Sequence, residues 1–421
     1  MPQVPTPHGR PAPGGEPIPA QGISVQATAI VGVGLAVSQV IAMLQMIVVA
    51  RILGPEQYGV FGAMAVVLLI GSTVMAAAQV TIARHVASGR SLGQIGASSV
   101  LAAGLATFAL GAAVAPLLSR ILNLDDVAGL LLVAVTFVPF AVTGAQLGLL
   151  QGFEKHSRLG ALYVVATLTR VVGAIVGAAL GQTADSAMLG LAIGATIGAV
   201  VGHFVLVERL EWRSKAGTRH YLVEAAHAAH ALIALYALTN LDVLLARAQL
   251  SAFDAGLYAA GALVARAVFF LPQAILVAAF PRIVAGARNA QRQAVAAVAI
   301  LGLLATAFVA LFPTLVVSIM AGEQYLEVAD EAWIFALAGA GFGVVQVLLY
   351  ARMAHRDRRA TILLWTAVAV LAGLGLTLGT SISALVTCAA AVAWTTAIIG
   401  VAWARLDPVQ IDEDNRPRGT L

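Results

Sequence analysis

Two arginines stand in the middle of long apolar runs, Arg170 within 160–180 and Arg266 within 255–280. A guanidinium carries a planar fork of donors that suits the paired oxygens of phosphate groups. At spacings of three, four and seven residues Arg170 is flanked by Tyr163, Ala166, Thr167, Gly173, Ala174 and Gly177, a stripe of small or polar-tipped residues fit to line a wet cavity. Arg266 has a mixed face: Ala259, Ala262 and Gln273 are small or polar, whereas Leu263, Phe269 and Phe270 are bulky. Periodicity leaves its direction open, and Asp242 is an alternative partner for it in a structural ion pair. Asp242, His230 and His227 fall within roughly 120° of one helix face at about 100° per residue, a column able to relay protons or hold a cation.

Other polar groups occupy apolar runs. Gln39, Gln45, Asn240, Gln273 and Gln346 offer amides to a ligand or to a neighbouring helix. Arg51 and Arg247 close two apolar runs, where an arginine binds a ligand, snorkels to the interface or caps a helix C-terminus. Gly54-Pro55 reads as a tight turn. Cys388 is the one cysteine, which excludes an intrachain disulfide, and no cofactor or metal spacing is present. GxxxxGK[ST] and HExxH are both absent, which argues against a fused P-loop ATPase or a zinc hydrolase.

The elements that must hold these groups follow from composition. Sixty per cent of residues are hydrophobic and 10% are charged, too few to cover a soluble surface. Apolar segments fall at 24–50, 58–82, 95–117, 128–150, 160–180, 186–207, 223–246, 255–280, 293–318, 332–351, 360–379 and 382–404. Each suffices to cross about 30 Å of hydrocarbon. With the N-terminus cytoplasmic, the cytoplasmic connections hold 15 basic residues and the external ones three, Arg51, Arg120 and Arg247. That asymmetry fits twelve spans with both termini inside, and it makes the charge of +4 a membrane signal, with no nucleic-acid partner expected. The expected organisation is a disordered Pro-rich tail (1–22), a six-helix lobe (23–207), a cytoplasmic linker (208–222), a second six-helix lobe (223–404) and a disordered tail (405–421).

The halves repeat. ARILGPEQYGVFG at 50–62 and ARAQLSAFDAGLYAA at 246–260 both place Ala-Arg at the outer end of an odd-numbered helix, then a short turn, an acid, and Gly with an aromatic: Gly59 and Phe61, Gly256 and Tyr258. The offset is about 196 residues, or six helices. Six is even, so the halves share one orientation and are expected to be related by a pseudo-two-fold axis along the membrane normal.

These stretches, with FDAGLYAAGALVARAVFFLPQAILVAAFPRI and GEQYLEVADEAWIFALA at 322–338, resemble the bacterial polysaccharide and O-antigen-type flippases. That family belongs to the multidrug/oligosaccharidyl-lipid/polysaccharide exporter superfamily, with the multidrug and toxin extrusion antiporters and the lipid II flippases. The resemblance spans 24–404. It implies a twelve-helix, two-lobed membrane protein of the bacterial cytoplasmic membrane. Such a protein moves a polyprenyl-pyrophosphate-linked oligosaccharide between leaflets by alternating access. Its partners are that lipid-linked glycan, membrane lipids, and a glycan polymerase or glycosyltransferases. Arg170 and Arg266 then become expected pyrophosphate ligands, with Arg51, Arg247, Gln39, Gln45, Asn240 and Gln273 as further substrate contacts. Two readings compete: a cation-coupled multidrug antiporter, which calls for acids in the cavity, and a membrane polymerase or glycosyltransferase. No connection exceeds about 15 residues, which argues against a catalytic loop and so against an enzyme.

Overall fold

A computed structural model describes residues 25–87, 97–205, 230, 232–271, 290–354 and 358–406, and these contain helices and no strand. Tails 1–22 and 407–421, linker 208–222, and His227, Pro272 and Gln273 lie outside them.

Helix α1 (Val25–Gly71) is one hydrogen-bonded run whose backbone leaves helical geometry at Gly54, with φ 71° and ψ 172°. The apolar run it shares with α2 (Thr73–Ala87) counts 57 residues over 31–87. At 1.5 Å per residue that is roughly 85 Å, far beyond one bilayer crossing. Contacts show the chain turning back at Gly54. Before the turn, Gly34 packs on Gly160 near the start of α5 (His156–Gly181). After it, α4 (Ala128–Gly152) runs parallel to the returning chain, Gly129 beside Met64, Gly144 beside Met75 and Gly152 beside Val86.

Then come α3 (Ala97–Ile121), α6 (Ala184–Val205), a bent pair α7 (Leu232–Leu238) and α8 (Leu241–Gln249), α9 (Ala252–Phe270), α10 (Ala290–Leu311), α11 (Pro313–Met320), a 3-10 segment (Glu323–Glu331), α12 (Ala332–Ala354), α13 (Arg358–Leu378) and α14 (Ile382–Leu406). Ten helical runs are long and apolar enough to cross a membrane, and the bent pair adds an eleventh. Dividing the first run at Gly54 makes twelve crossings, in two six-helix lobes.

Three helices that the hydropathy pattern reads as continuous are interrupted. Pro313 has no N–H to continue α10. At Ser72, Ser72 Oγ and Thr73 Oγ1 bond back to the carbonyls of Leu69 and Ile70. At 239–240, Thr239 Oγ1 donates to the Leu235 carbonyl and Asn240 Nδ2 to that of Tyr236, and α7 meets α8 at 45°. Side-chain donors that take helical carbonyls bend or end a helix.

The two quoted repeats meet face to face. A β-carbon on Gly59 would lie 2.9 Å from the Gly256 nitrogen, one on Gly256 would strike the Pro55 carbonyl, and one on Gly62 would lie 3.1 Å from Ala259 Cβ. Around this contact one core cluster joins both lobes through Val49, Tyr58, Phe61, Val243, Leu257 and Tyr325. Toward the opposite end the core divides, one cluster drawing on Ile82, Val100, Ala141 and Leu159, the other on Leu235, Val298, Val345 and Ala389. A smaller contact there sets Ala77 against Ile233. The lobes are thus packed together at the Gly54 end and hold separate cores beyond it.

Candidate functional site

The candidate site lies around the boundary between the lobes. In α9 every residue from Ala255 to Val264 is buried, and Ala265, Arg266 and Ala267 are half-buried. In the second span Phe61–Val66 are buried and half-buried positions begin at Val67. Arg266 therefore lies where tight lobe contact ends. Its Nη2 donates to Asn240 Oδ1 at 2.9 Å, and it lies within electrostatic range of Asp242 and, across the lobe boundary, Tyr58. The helix break at 239–240 is what presents the Asn240 amide, since Asn240 is the residue before the first turn of α8.

Arg170 is half-buried in the other lobe. The exposed large hydrophobic residues of α5, Leu168, Val172, Val176 and Leu180, share one side of the helix. At 100° per residue Arg170 lies on the opposite side, away from lipid. Its Nε donates to the Ala166 carbonyl at 3.1 Å, its Nη2 to Thr167 Oγ1 at 3.2 Å, and its guanidinium lies 5.1 Å from the centre of the Phe140 ring. Neither arginine forms an ion pair among the described residues. Below Arg170 on the same stripe, Tyr163 Oη accepts from Gln79 Nε2 at 2.6 Å, and the same amide reaches Gln151 Oε1 at 2.8 Å.

Asp242 is buried and is not the ion-pair partner of Arg266. Its Oδ2 accepts from Tyr258 Oη at 2.9 Å, and its Oδ1 is buried with no partner. His230 is exposed, and the 45° bend at 239–240 lies between it and Asp242. Gln39 is exposed, while Gln45 and Asn240 are buried. Gln346 is buried and engaged. Cys388 is half-buried.

Arg51 and Arg247 lie at the Gly54 end. Arg51 Nη2 donates to the carbonyls of Ser318 and Ile319 at 3.1 and 2.9 Å, and Arg247 Nη2 to that of Asn123 at 2.8 Å. Each crosses to the opposite lobe. The residues that sequence reading missed are their acceptors, Tyr258, and the Gln79–Gln151–Tyr163 group. Tyr258 lay inside the repeat that was read, but a phenol in an apolar helix carries no sign of its partner.

The sequence profile of the polysaccharide biosynthesis proteins matches residues 24–286. The chain belongs to this family. Among curated proteins no sequence matches it. Solved structures share its fold. A lipid II flippase, MurJ, in an inward closed conformation is 10% identical, with a TM-score of 0.73 over 90% of this chain and 87% of that one. An inward-facing multidrug resistance transporter of the MATE family is 12% identical, with a TM-score of 0.70 over 90% and 97%. An outward-facing MATE transporter is 13% identical and scores 0.57 over 90% and 95%. The protein is a multi-pass membrane protein with the fold of this exporter superfamily.

Proposed function

We propose that the protein is a flippase that carries a polyprenyl-pyrophosphate-linked oligosaccharide across the bacterial cytoplasmic membrane by alternating access, with both termini and the open end of the cleft cytoplasmic. The carrying observation is that Arg170 and Arg266, one from each lobe at mid-span depth, have no carboxylate partner among the described residues. An arginine in a membrane persists where a cavity, partner or ligand offsets its cost. Two guanidiniums whose donors are only partly used suit the oxygens of a pyrophosphate. The Gln79–Gln151–Tyr163 group on the cytoplasmic side of Arg170 supplies donors and acceptors of the kind that bind sugar hydroxyls. The family's name, and the fold shared with the lipid II flippase MurJ, support this reading. Transport, not catalysis, is the activity it assigns, and glycosyltransferases or a glycan polymerase are the proposed neighbours.

A cation-coupled antiporter is the second reading, favoured by the unpartnered Oδ1 of Asp242 beside a broken helix. In the flippase reading the same carboxylate is the site where an ion is coupled to the cycle.

The test is a reconstituted assay in which a polyprenyl-pyrophosphate oligosaccharide becomes accessible in the opposite leaflet. Arg170→Ala and Arg266→Ala are each expected to slow flipping at least about tenfold, in line with the loss of a charge-assisted contact, with unchanged protein in the membrane. Full flipping by both variants overturns the proposal.

A further inference from the structure

We infer that Arg51 and Arg247 form a matched pair of latches that holds the Gly54 end of the cleft shut and must release for that end to open. This rests on the alternating-access reading. The two arginines are 196 residues apart, and so are two of their acceptors, Asn123 and Ile319. The contact is therefore made twice, once in each direction across the pseudo-two-fold axis, as a self-complementary interface requires. Each arginine ends an odd-numbered span of its own lobe. Each reaches carbonyls at or just past a helix C-terminus in the other lobe: Ser318 and Ile319 near the end of α11, Asn123 two residues beyond α3. Carbonyls there lack helical partners and carry the negative end of the helix dipole, so a guanidinium is a suitable cap.

The same interface carries further cross-lobe bonds. Tyr325 Oη donates to the Ala50 carbonyl at 2.8 Å, Gln324 Nε2 to the same carbonyl at 3.1 Å, and Asn123 Nδ2 to the Ala248 carbonyl at 3.0 Å. All adjoin the arginines in sequence or space. Gly322 sits at φ 114°, and a β-carbon there would lie 3.4 Å from Arg51 Cγ. Beneath the latches lies the Gly59–Gly256 contact, which is backbone against backbone and supplies no ionic hold of its own. The clasps are not equal. Arg51 is exposed and Arg247 is buried. Water screens an exposed charged contact more than a buried one, so Arg247 is the stronger latch.

The test reads conformation in purified, detergent-solubilised full-length protein carrying Cys388→Ser. Ala259→Cys reports the closed seam, because Ala259 is buried against Gly62. Ala141→Cys, fully buried in the first lobe's own core against Gly104 of α3, reports unfolding. The rate of maleimide labelling is measured at each. Arg247→Ala is expected to speed labelling at position 259 about tenfold or more, and Arg51→Ala by a smaller factor. Both are expected to leave position 141 unchanged, and Arg247→Lys to fall between wild type and Arg247→Ala. Unchanged labelling at 259 in both alanine variants overturns the latch. A parallel rise at 259 and 141 also overturns it, because the arginines then hold the bundle together and not the gate. No substrate enters this assay. A seam that opens in a protein unable to move lipid-linked glycan sinks the flippase reading alone.

Discussion

Arg170 and Arg266 illustrate how far a residue can be read without its neighbours. An arginine amid apolar sequence announces that something must compensate it, and the small-residue stripe beside Arg170 gives its direction correctly, away from the exposed Leu168–Val172–Val176 side. The stripe says nothing of Phe140, which comes from another helix. For Arg266 the sequence offered Asp242 as partner. The structure gives Arg266 to Asn240 and Asp242 to Tyr258, because the bend at 239–240 brings the Asn240 amide to the guanidinium. Two outcomes are expected at this scale. Arg170→Lys and Arg266→Lys should each flip lipid-linked glycan at an intermediate rate, since an ammonium keeps the charge and loses the planar fork. Rates equal to wild type would show that charge alone is used. Asn240→Ala should lower flipping severalfold with protein abundance unchanged, because the Arg266 guanidinium loses its anchor. A loss of abundance instead would assign Asn240 to folding.

At the scale of elements, α5 and α6 show close packing of small residues with no ligand involved. A β-carbon at Gly173 would strike the Gly190 carbonyl, and one at Gly177 the Ser186 carbonyl. The reverse also holds, for Gly190 on Gly173 and Gly194 on Thr169. This is reciprocal small-residue packing, which lets membrane helices approach to backbone contact. Gly177→Leu cannot be accommodated without separating the helices, and overpacking of this kind costs about 1–3 kcal/mol or more. The expected result is a lower thermal midpoint in detergent and less protein in the membrane, while Gly373→Ala, where a β-carbon meets nothing within 4 Å, serves as the neutral comparison. Equal stability of the two variants would contradict the packing argument. The helix breaks belong to this scale too. Hydropathy averages over a window and passes smoothly across Ser72 and 239–240, whereas the interruption depends on which hydroxyl or amide turns back onto a carbonyl.

For the whole molecule, the alternation of basic loops predicts which ends share a side. Glu154 lies in the exposed turn between α4 and α5, and Glu327 is exposed on the 3-10 segment that precedes α12. In intact cells on a Cys388→Ser background, an impermeant thiol reagent should label Glu327→Cys and spare Glu154→Cys. The reverse pattern would invert the proposed orientation. The core shows where the lobes hold together: one cluster is shared by both at the Gly54 end, and beyond it the described residues form a separate cluster in each lobe with a small contact of Ala77 on Ile233 between them.

The sequence by itself determined the membrane environment, the twelve crossings and the repeat, because bilayer thickness imposes a length on every span. It also located Arg170, Arg266 and Asp242 as groups in need of explanation, since ionisable residues are scarce in such a chain. Only the tertiary structure decided their partners. Hydrogen bonds such as Arg247 to Asn123 and Arg51 to Ile319 join residues more than 120 positions apart, and their acceptors are backbone carbonyls, which every residue possesses and no sequence distinguishes.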